Sequence, residues 1–278
     1  MPAPNRIAPD KLLRLIGAPD SPAIIDLRSA DAFAADPRFI PGAVRRDPAQ
    51  LAEWSRSLDR PTVLACDDGG ALSHGVAALL RAGGVGAEVL EGGRRDWAEA
   101  GSPLVPDAAL PPRDGEGRTR WVTRARPKVD RIACPWLIRR FVDPRALFLF
   151  VPPGEVVAVA ARFDAAPFDL DAEGVHWTHQ GERCTFDRMV EEFGLGGIEA
   201  LTHLAMIVRG ADIARPDLAP QAAGLLAVSL GLSRLHAEDD RQLEAGMPIY
   251  DALFRWCRDA RGETHDWSSH TVRGGVRA

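Results

Sequence analysis

Short apolar runs alternate with amphipathic stretches over the first hundred residues. Ala23–Arg28, Thr62–Cys66 and Ala87–Gly93 read as buried strands, and residues 9–17, 50–57, 73–83 and 94–101 carry helical spacing. Such alternation predicts an α/β unit with a parallel sheet and flanking helices, whose chemistry sits at the strand ends. Residues 102–120 hold four prolines and two glycines without apolar periodicity, which is linker composition. Beyond them the pattern predicts a mainly helical α+β domain. Residues 146–152 and 175–178 read as strands there, and residues 184–193, 197–210, 219–230, 236–245 and 247–261 as helices. The expected organisation is therefore a first domain over 1–105, a linker over 106–120, a second domain over 121–267 and a disordered tail over 268–278.

Composition narrows the class. The 278 residues are 46% hydrophobic and 26% charged, the balance of a globular protein with room for two cores. A net charge of −5 argues against general nucleic-acid binding. The start of the chain lacks a signal-peptide pattern and no apolar run reaches membrane-span length, so the expectation is a cytoplasmic protein with no membrane partner. Four widely spaced cysteines, at positions 66, 134, 184 and 257, suggest thiols, ligands or core residues and not a disulfide framework. Oligomeric state is not legible.

Cys66 ends the second apolar run and precedes Asp67-Asp68-Gly69-Gly70, with Ser73 expected to open the next helix. A thiol there faces loop amides and the positive end of a helix, which favour a thiolate and a bound anion. Gly69, Gly70, Ser73 and His74 are the residues expected to hold that anion. Asp26 and Arg28 are candidates for the same site, or for a pair that fixes the preceding loop. Asp67 and Asp68 place negative charge beside the thiol and should repel an anionic donor such as thiosulfate.

Three motifs in order resemble the rhodanese family over roughly residues 8–105. They are Ile25-Asp26-Leu27-Arg28 with Phe39-Ile40-Pro41-Gly42-Ala43, the Cys66 loop, and Leu90-Glu91-Gly92-Gly93-Arg94-Arg95-Asp96-Trp97 ending Gly101-Ser102-Pro103. The resemblance implies a sulfurtransferase module that carries sulfur as a persulfide on Cys66 and needs no cofactor. The sequence departs from active members at Ala71, where a donor is usual five residues after the cysteine, and at Phe39, often His in the family.

After the linker, Trp121 to Asp143 concentrates cations around a cysteine. Pro135 suits the first turn of a helix, which would put Cys134 at a helix N-terminus; a helix starting near Lys128 would instead put Asp130 and Cys134 on one face. Arg124, Arg126 and Lys128 alternate in an expected extended segment and, with Arg131, are candidates for an oxyanion site. Arg139 and Arg140 read as a solvated face. His179 and Cys184 straddle a glycine turn and, with Asp130 and Cys134, would form a soft tetrahedral set for zinc or another divalent metal.

Trp121 through Phe141, Thr178-His179-x-Gly181-x-x-Cys184, Ile207-Val208-Arg209-Gly210-Ala211-Asp212 and Tyr250-Asp251-Ala252-Leu253 are together similar to the C-terminal domain of the chromate-resistance ChrB family, over about residues 120–262. That resemblance implies a place in bacterial survival of chromate. Two functions are expected to compete: sulfur transfer linked to oxyanion or metal stress, with a small sulfur donor or oxyanion as partner, and a non-catalytic oxyanion sensor or scaffold.

Overall fold

The structure, a computed structural model, describes residues 5–263; the expected tail at 268–278 lies outside them. The first domain runs β1 (Arg6–Ile7), α1 (Pro9–Leu15), β2 (Ala23–Asp26), α2 (Ala30–Ala35), β3 (Arg38–Phe39), β4 (Ala43–Arg45), α3 (Leu51–Trp54), β5 (Thr62–Ala65), α4 (Ala71–Ala82), β6 (Ala87–Leu90), α5 (Gly93–Glu99) and β7 (Val105–Pro106). A five-stranded parallel sheet has the order β1-β6-β5-β2-β4, and β3 pairs antiparallel with β7. Ile24, Ile25, Val63, Leu64, Val89 and Leu90 are buried because helices cover both faces, which is why these strands read as continuous apolar runs. β1 and β4 escaped the sequence reading because two or three residues show no period. α2 escaped it too; it forms behind Ser29, whose hydroxyl accepts from the Ala32 amide at 3.2 Å. The helix expected over 50–57 is only the four-residue α3 between two 3-10 turns.

The second domain contains β8 (Arg120–Arg124), α6 (Asp130–Phe141), β9 (Leu147–Val151), α7 (Val156–Phe163), β10 (Ala166–Pro167), α8 (Thr185–Glu192), α9 (Glu199–Asp212), α10 (Ala222–Leu235) and α11 (Asp239–Asp259). A small parallel sheet, β10-β8-β9, carries the helices. Residues 175–178 contribute one bridge, Phe168 to Trp177, and no strand. The two helices expected over 236–245 and 247–261 are the single α11, with Pro248 inside it. Burial of Leu243, Met247, Tyr250 and Phe254 along one face outweighs the amide that Pro248 lacks. Trp136 is wholly buried at the centre, its ring 5.5 to 6.4 Å from those of Phe141, Phe186, Tyr250 and Phe254.

One hydrophobic core runs through both domains, joining Leu12, Ile16 and Phe39 to Phe141, Leu201 and Phe254. The Gly42 amide donates to the Phe141 carbonyl at 2.7 Å. Gly17, at φ +83°, lies flat against Phe141 and Phe254, where any Cβ would collide with the rings. The proline-rich stretch is pinned to both domains: Asp107 donates its amide to the Pro37 carbonyl, and Asp143 accepts from the Thr119 amide and hydroxyl at 2.6 and 2.8 Å. No helix among the described residues is long and apolar enough to cross a membrane.

Candidate functional site

Two places carry chemistry. Cys66 follows β5 and is 6% exposed, on a loop whose shape comes from the glycines after β6. Gly69 has φ +65°, and a Cβ on Gly93 would lie 2.5 Å from both the Cys66 carbonyl oxygen and the Gly69 nitrogen. The first amides of α5 close the arrangement, Arg94 donating to the Cys66 carbonyl at 2.8 Å and Arg95 to the Asp67 carbonyl at 2.9 Å. Trp97, fully buried, donates its indole N–H to the Pro103 carbonyl at 2.8 Å and fixes α5 in turn. The Gly-Gly-x-x-x-Trp signature is thus a device for holding the cysteine loop.

The loop's electrostatics are set by Asp68. Its Oδ1 accepts the Gly70 amide at 2.9 Å and the Cys66 thiol at 3.4 Å, and these bonds, the amide first, hold its carboxyl below the usual range. A loop amide expected to meet an external anion is thereby engaged by the chain's own carboxylate. α4 starts at Ala71, so Ser73 and His74 lie within its first turn and do not open it. Ser73 is fully buried, which removes it from substrate contact, and neither its Oγ nor the buried Nε2 of His74 has a partner among the described residues.

Asp26 and Arg28 pair with one another. Arg28 is 3% exposed; its Nε and Nη2 bind both Asp26 oxygens, at 2.9 and 2.6 Å for the closest contacts. Its Nη1 and Nη2 also donate to the Asp36 and Arg38 carbonyls at 2.8 Å. With every donor committed, the pair is a buried clamp on the loop after β2.

The second place begins at a strained loop between β8 and α6. Arg126 has φ +59° and Val129 φ +40°, a conformation disfavoured for a β-branched residue and held only by surrounding contacts. The Val129 amide donates to Ser229 Oγ at 3.0 Å, Tyr250 donates to the Val129 carbonyl at 2.9 Å, and Gln242 donates to the Pro127 carbonyl. α10 and α11 thus aim Asp130, the first residue of α6, into the interior, where it is wholly buried.

His179 meets it there. Its Nε2 lies 3.1 Å from Asp212 Oδ2, 3.3 Å from Asp169 Oδ1 and 3.7 Å from Asp130 Oδ2. One donor atom each from Asp130, His179 and Asp212 falls within 4.8 Å of the others, and Asp130 Oδ1 has no hydrogen-bond partner among the described residues. A cavity of about 380 Å³ opens beside Arg124, Asp169, Thr178 and His179. Burial, then the neighbouring Asp212 and Asp169 carboxylates, push the Asp130 carboxyl well above its ordinary range. Hydrogen bonds to Asp169 and Asp212 raise the His179 imidazole to about 10. Burial would raise Asp169, but His179, Arg131 and Arg124 outweigh it and hold it low. Three carboxylates converging on one imidazole are arranged to receive a cation.

The expected thiols are not among the three clustered donor atoms, although Cys184 lies against Asp130. Cys134 sits in the second turn of α6 because that helix starts at Asp130, and it faces the core with no exposure. Burial first, then Asp130, push its thiol well up. Cys184 caps α8, its thiol 3.2 Å from Asp187, and burial raises it likewise. Asp212 takes their place. It was legible only as the end of Arg209-Gly210-Ala211-Asp212, and Asp169 carried no local signal at all. Bidentate Arg209 on Asp187, at 2.8 and 2.6 Å, locks α9 to α8 and so places Asp212.

The expected oxyanion row is also dispersed, because the strand stops at Arg124. Arg124 and Arg131 approach Asp169 at 3.0 and 3.2 Å. Arg126 caps the end of α10, donating to the Ser233 carbonyl and, at 2.8 Å, to the His236 carbonyl. Lys128 faces a separate cavity with Arg126 and Arg234. Arg140 is likewise no free surface residue, since it forms a bidentate pair with Asp251 at 2.8 Å.

Comparison with known proteins agrees with this division. Residues 121–257 match the family model described as ChrB, C-terminal domain, and residues 8–100 match that of the rhodanese-like domain. Protein ChrB of Cupriavidus metallidurans is 36% identical over 157 residues, covering 55% of this chain and 46% of that protein, so the chain spans just under half the length of this curated relative. Among solved structures, a thiosulfate sulfurtransferase from Pseudomonas aeruginosa is 28% identical, covering 38% of this chain and 20% of that one, with a TM-score of 0.32. A rhodanese-related protein from Thermoplasma volcanium is 23% identical, covering 36% and 97%, with a TM-score of 0.32. The chain joins a member of the rhodanese-like domain family, over residues 8–100, to a member of the ChrB C-terminal domain family, over residues 121–257.

Proposed function

We propose that this is a cytoplasmic chromate-resistance factor whose second domain binds a divalent metal through Asp130, His179 and Asp212. Asp169, with Oδ1 3.3 Å from the same Nε2 and the other oxygen on Arg124 and Arg131, adds negative charge at the edge of this set. The convergence of those three donor atoms, one of them on a fully buried carboxylate with a free oxygen, carries the reading. An imidazole with carboxylates suits a borderline or hard cation better than a thiolate site would. Arg124 and Arg131, spent on Asp169, favour a metal over an oxyanion here. Four free, buried cysteines fit a reducing compartment.

The test is calorimetric titration of chelator-treated protein with Zn²⁺ and Mn²⁺. One site is expected, weakened at least tenfold (about 1.4 kcal/mol) by Asp212→Asn and by His179→Ala. Absence of saturable binding, or binding indifferent to both substitutions, would overturn the assignment.

For the first domain, the reading is a sulfur carrier on Cys66 that handles anionic donors poorly. The Asp68 carboxylate supports a second reading as well, a rhodanese-like module used for interaction without turnover. Intact mass after incubation with thiosulfate or mercaptopyruvate separates them. Gain of one sulfur atom, lost in Cys66→Ser, supports the carrier; no gain from either donor supports the interaction module.

A further inference from the structure

The arginines that the sequence pointed to are committed to Asp169 and to helix carbonyls. Uncommitted guanidinium groups lie elsewhere, around a cleft of about 330 Å³ between the domains. Its first-domain side sets Ile24, Val44 and Trp54 beside the polar Ser57, Asp59 and Arg46. Its other wall is the end of α6 and the turn after it, which carry Arg139, Arg140 and Arg145. The hydrogen bond from Gly42 to Phe141 lies at the same junction, so the walls are fixed relative to one another.

Charge around this cleft does not balance. Arg60 pairs with Asp59 at 2.9 Å, Arg139 with Glu244 at 2.5 Å and Arg140 with Asp251 at 2.8 Å. Arg46 and Arg145, one from each domain, form no ion pair among the described residues. Arg145 reaches only the Gly117 carbonyl at 3.4 Å, and its buried Nε has no partner. The nearby carboxylate, Asp143, is wholly buried, spent on Thr119, and faced by Arg113 at 3.6 Å. Arg46 is accordingly less basic than usual, through burial first and then repulsion by Arg145 and Arg113.

Two guanidinium forks brought together without an ion-pair partner among the described residues, beside the side chains of Val44 and Trp54, describe half of an anion site. We propose that this interdomain cleft binds a doubly charged tetrahedral oxyanion, free or as the head group of an organic ester, with Arg46 and Arg145 as its forks. A ligand there touches both domains at once and strengthens their contact. The assignment is independent of the metal centre, which lies among different residues.

The experiment is calorimetric titration of the full chain, in excess chelator and at constant ionic strength, with inorganic phosphate and with phenyl phosphate. Saturable binding of at least one probe is expected, weakened about tenfold or more by Arg46→Gln, since bonds to charged groups carry most of such affinity. Tighter binding of phenyl phosphate assigns the site to an ester whose body lies on Trp54 and Val44; equal affinity assigns it to the free ion. Arg145→Gln is the second variant, because the Arg46 side chain has no protein partner to lose and Arg145 has one. Unliganded melting temperatures check that both fold. No saturable binding of either probe, or affinity unchanged in both folded variants, would overturn the proposal.

Discussion

Replacing Arg28 by Met tests whether the Asp26–Arg28 pair is a structural clamp. Their side chains are 1% and 7% exposed, so water cannot replace what the substitution removes. Asp26 would keep one donor, the residue 28 amide at 3.0 Å, and lose all three guanidinium contacts. The Asp36 and Arg38 carbonyls would each lose a 2.8 Å bond. Breaking a buried ion pair from one side typically costs about 3 to 5 kcal/mol, because the surviving charge stays buried and unpaired. That is a large share of the roughly 5 to 15 kcal/mol that stabilises a folded protein. The exposed Arg60–Asp59 pair is the comparison, and Arg60→Met should change stability by no more than about 1 kcal/mol. Adding Asp26→Leu to Arg28→Met should recover part of the loss, since no charge is then left behind, while the Asp36 and Arg38 carbonyls still lack their guanidinium bonds and the Asp36 carbonyl keeps the one from the Arg38 amide. Urea unfolding followed by circular dichroism reads all four proteins. A loss below about 1 kcal/mol for Arg28→Met would refute the clamp, and normal stability with loss of sulfur loading on Cys66 would return Arg28 to the substrate site.

Because one core spans both domains, unfolding should be a single transition by calorimetry; two separated transitions would contradict the shared core. Asp169→Asn should lower metal affinity about tenfold or more while the protein stays folded, because it removes a negative charge 3.3 Å from His179 Nε2, and unchanged affinity in the titration would count against its part in the site. Gly246→Ala places a Cβ 2.6 Å from Ile132 Cγ2, and overpacking of about 1 to 3 kcal/mol should exceed the gain of about 1 kcal/mol in helix propensity, so a raised melting temperature would be contrary evidence. Arg38, and then Arg94, hold the Asp36 carboxyl down to about 2, below its unfolded value. Its stabilising contribution is therefore complete above about pH 4 and lost as pH falls toward 2; Asp36→Asn should flatten that part of the acid-unfolding curve, and an unchanged slope would count against the pairing.

The first domain was largely legible because its determinants are local. Strands buried on both faces appear as apolar runs, and Cys66 stands at the end of one of them. The Gly92-Gly93 turn and Trp97 act on that loop through contacts that need only the next strand and helix to form. What the sequence misplaced there was Ser73, and what it left open was whether Asp26 and Arg28 pair or line the site, because burial depends on elements packed from elsewhere. In the second domain the helices from α8 onward were legible from their spacing, apart from the joint at Pro248, where side-chain burial overrode a local breaker, while the eight-residue α7 was not read.

The proposed metal centre was only half legible. Asp130 and His179 stood out by residue type, yet proximity in sequence suggested Cys134 and Cys184 as their companions. Tertiary structure chose Asp212 and Asp169 instead, each brought in by a different segment. The direction of Asp130 is set by a strained loop at Val129 that contacts from α10 and α11 hold, a hundred or more residues away in sequence. By itself the sequence determined the central buried strands, the longer helices and the place of Cys66 at a strand end, since those depend on neighbours along the chain. Which carboxylates face His179, and which arginines remain unpaired between the domains, only the packed molecule decided, because charge pairing depends on distances that chain order does not fix.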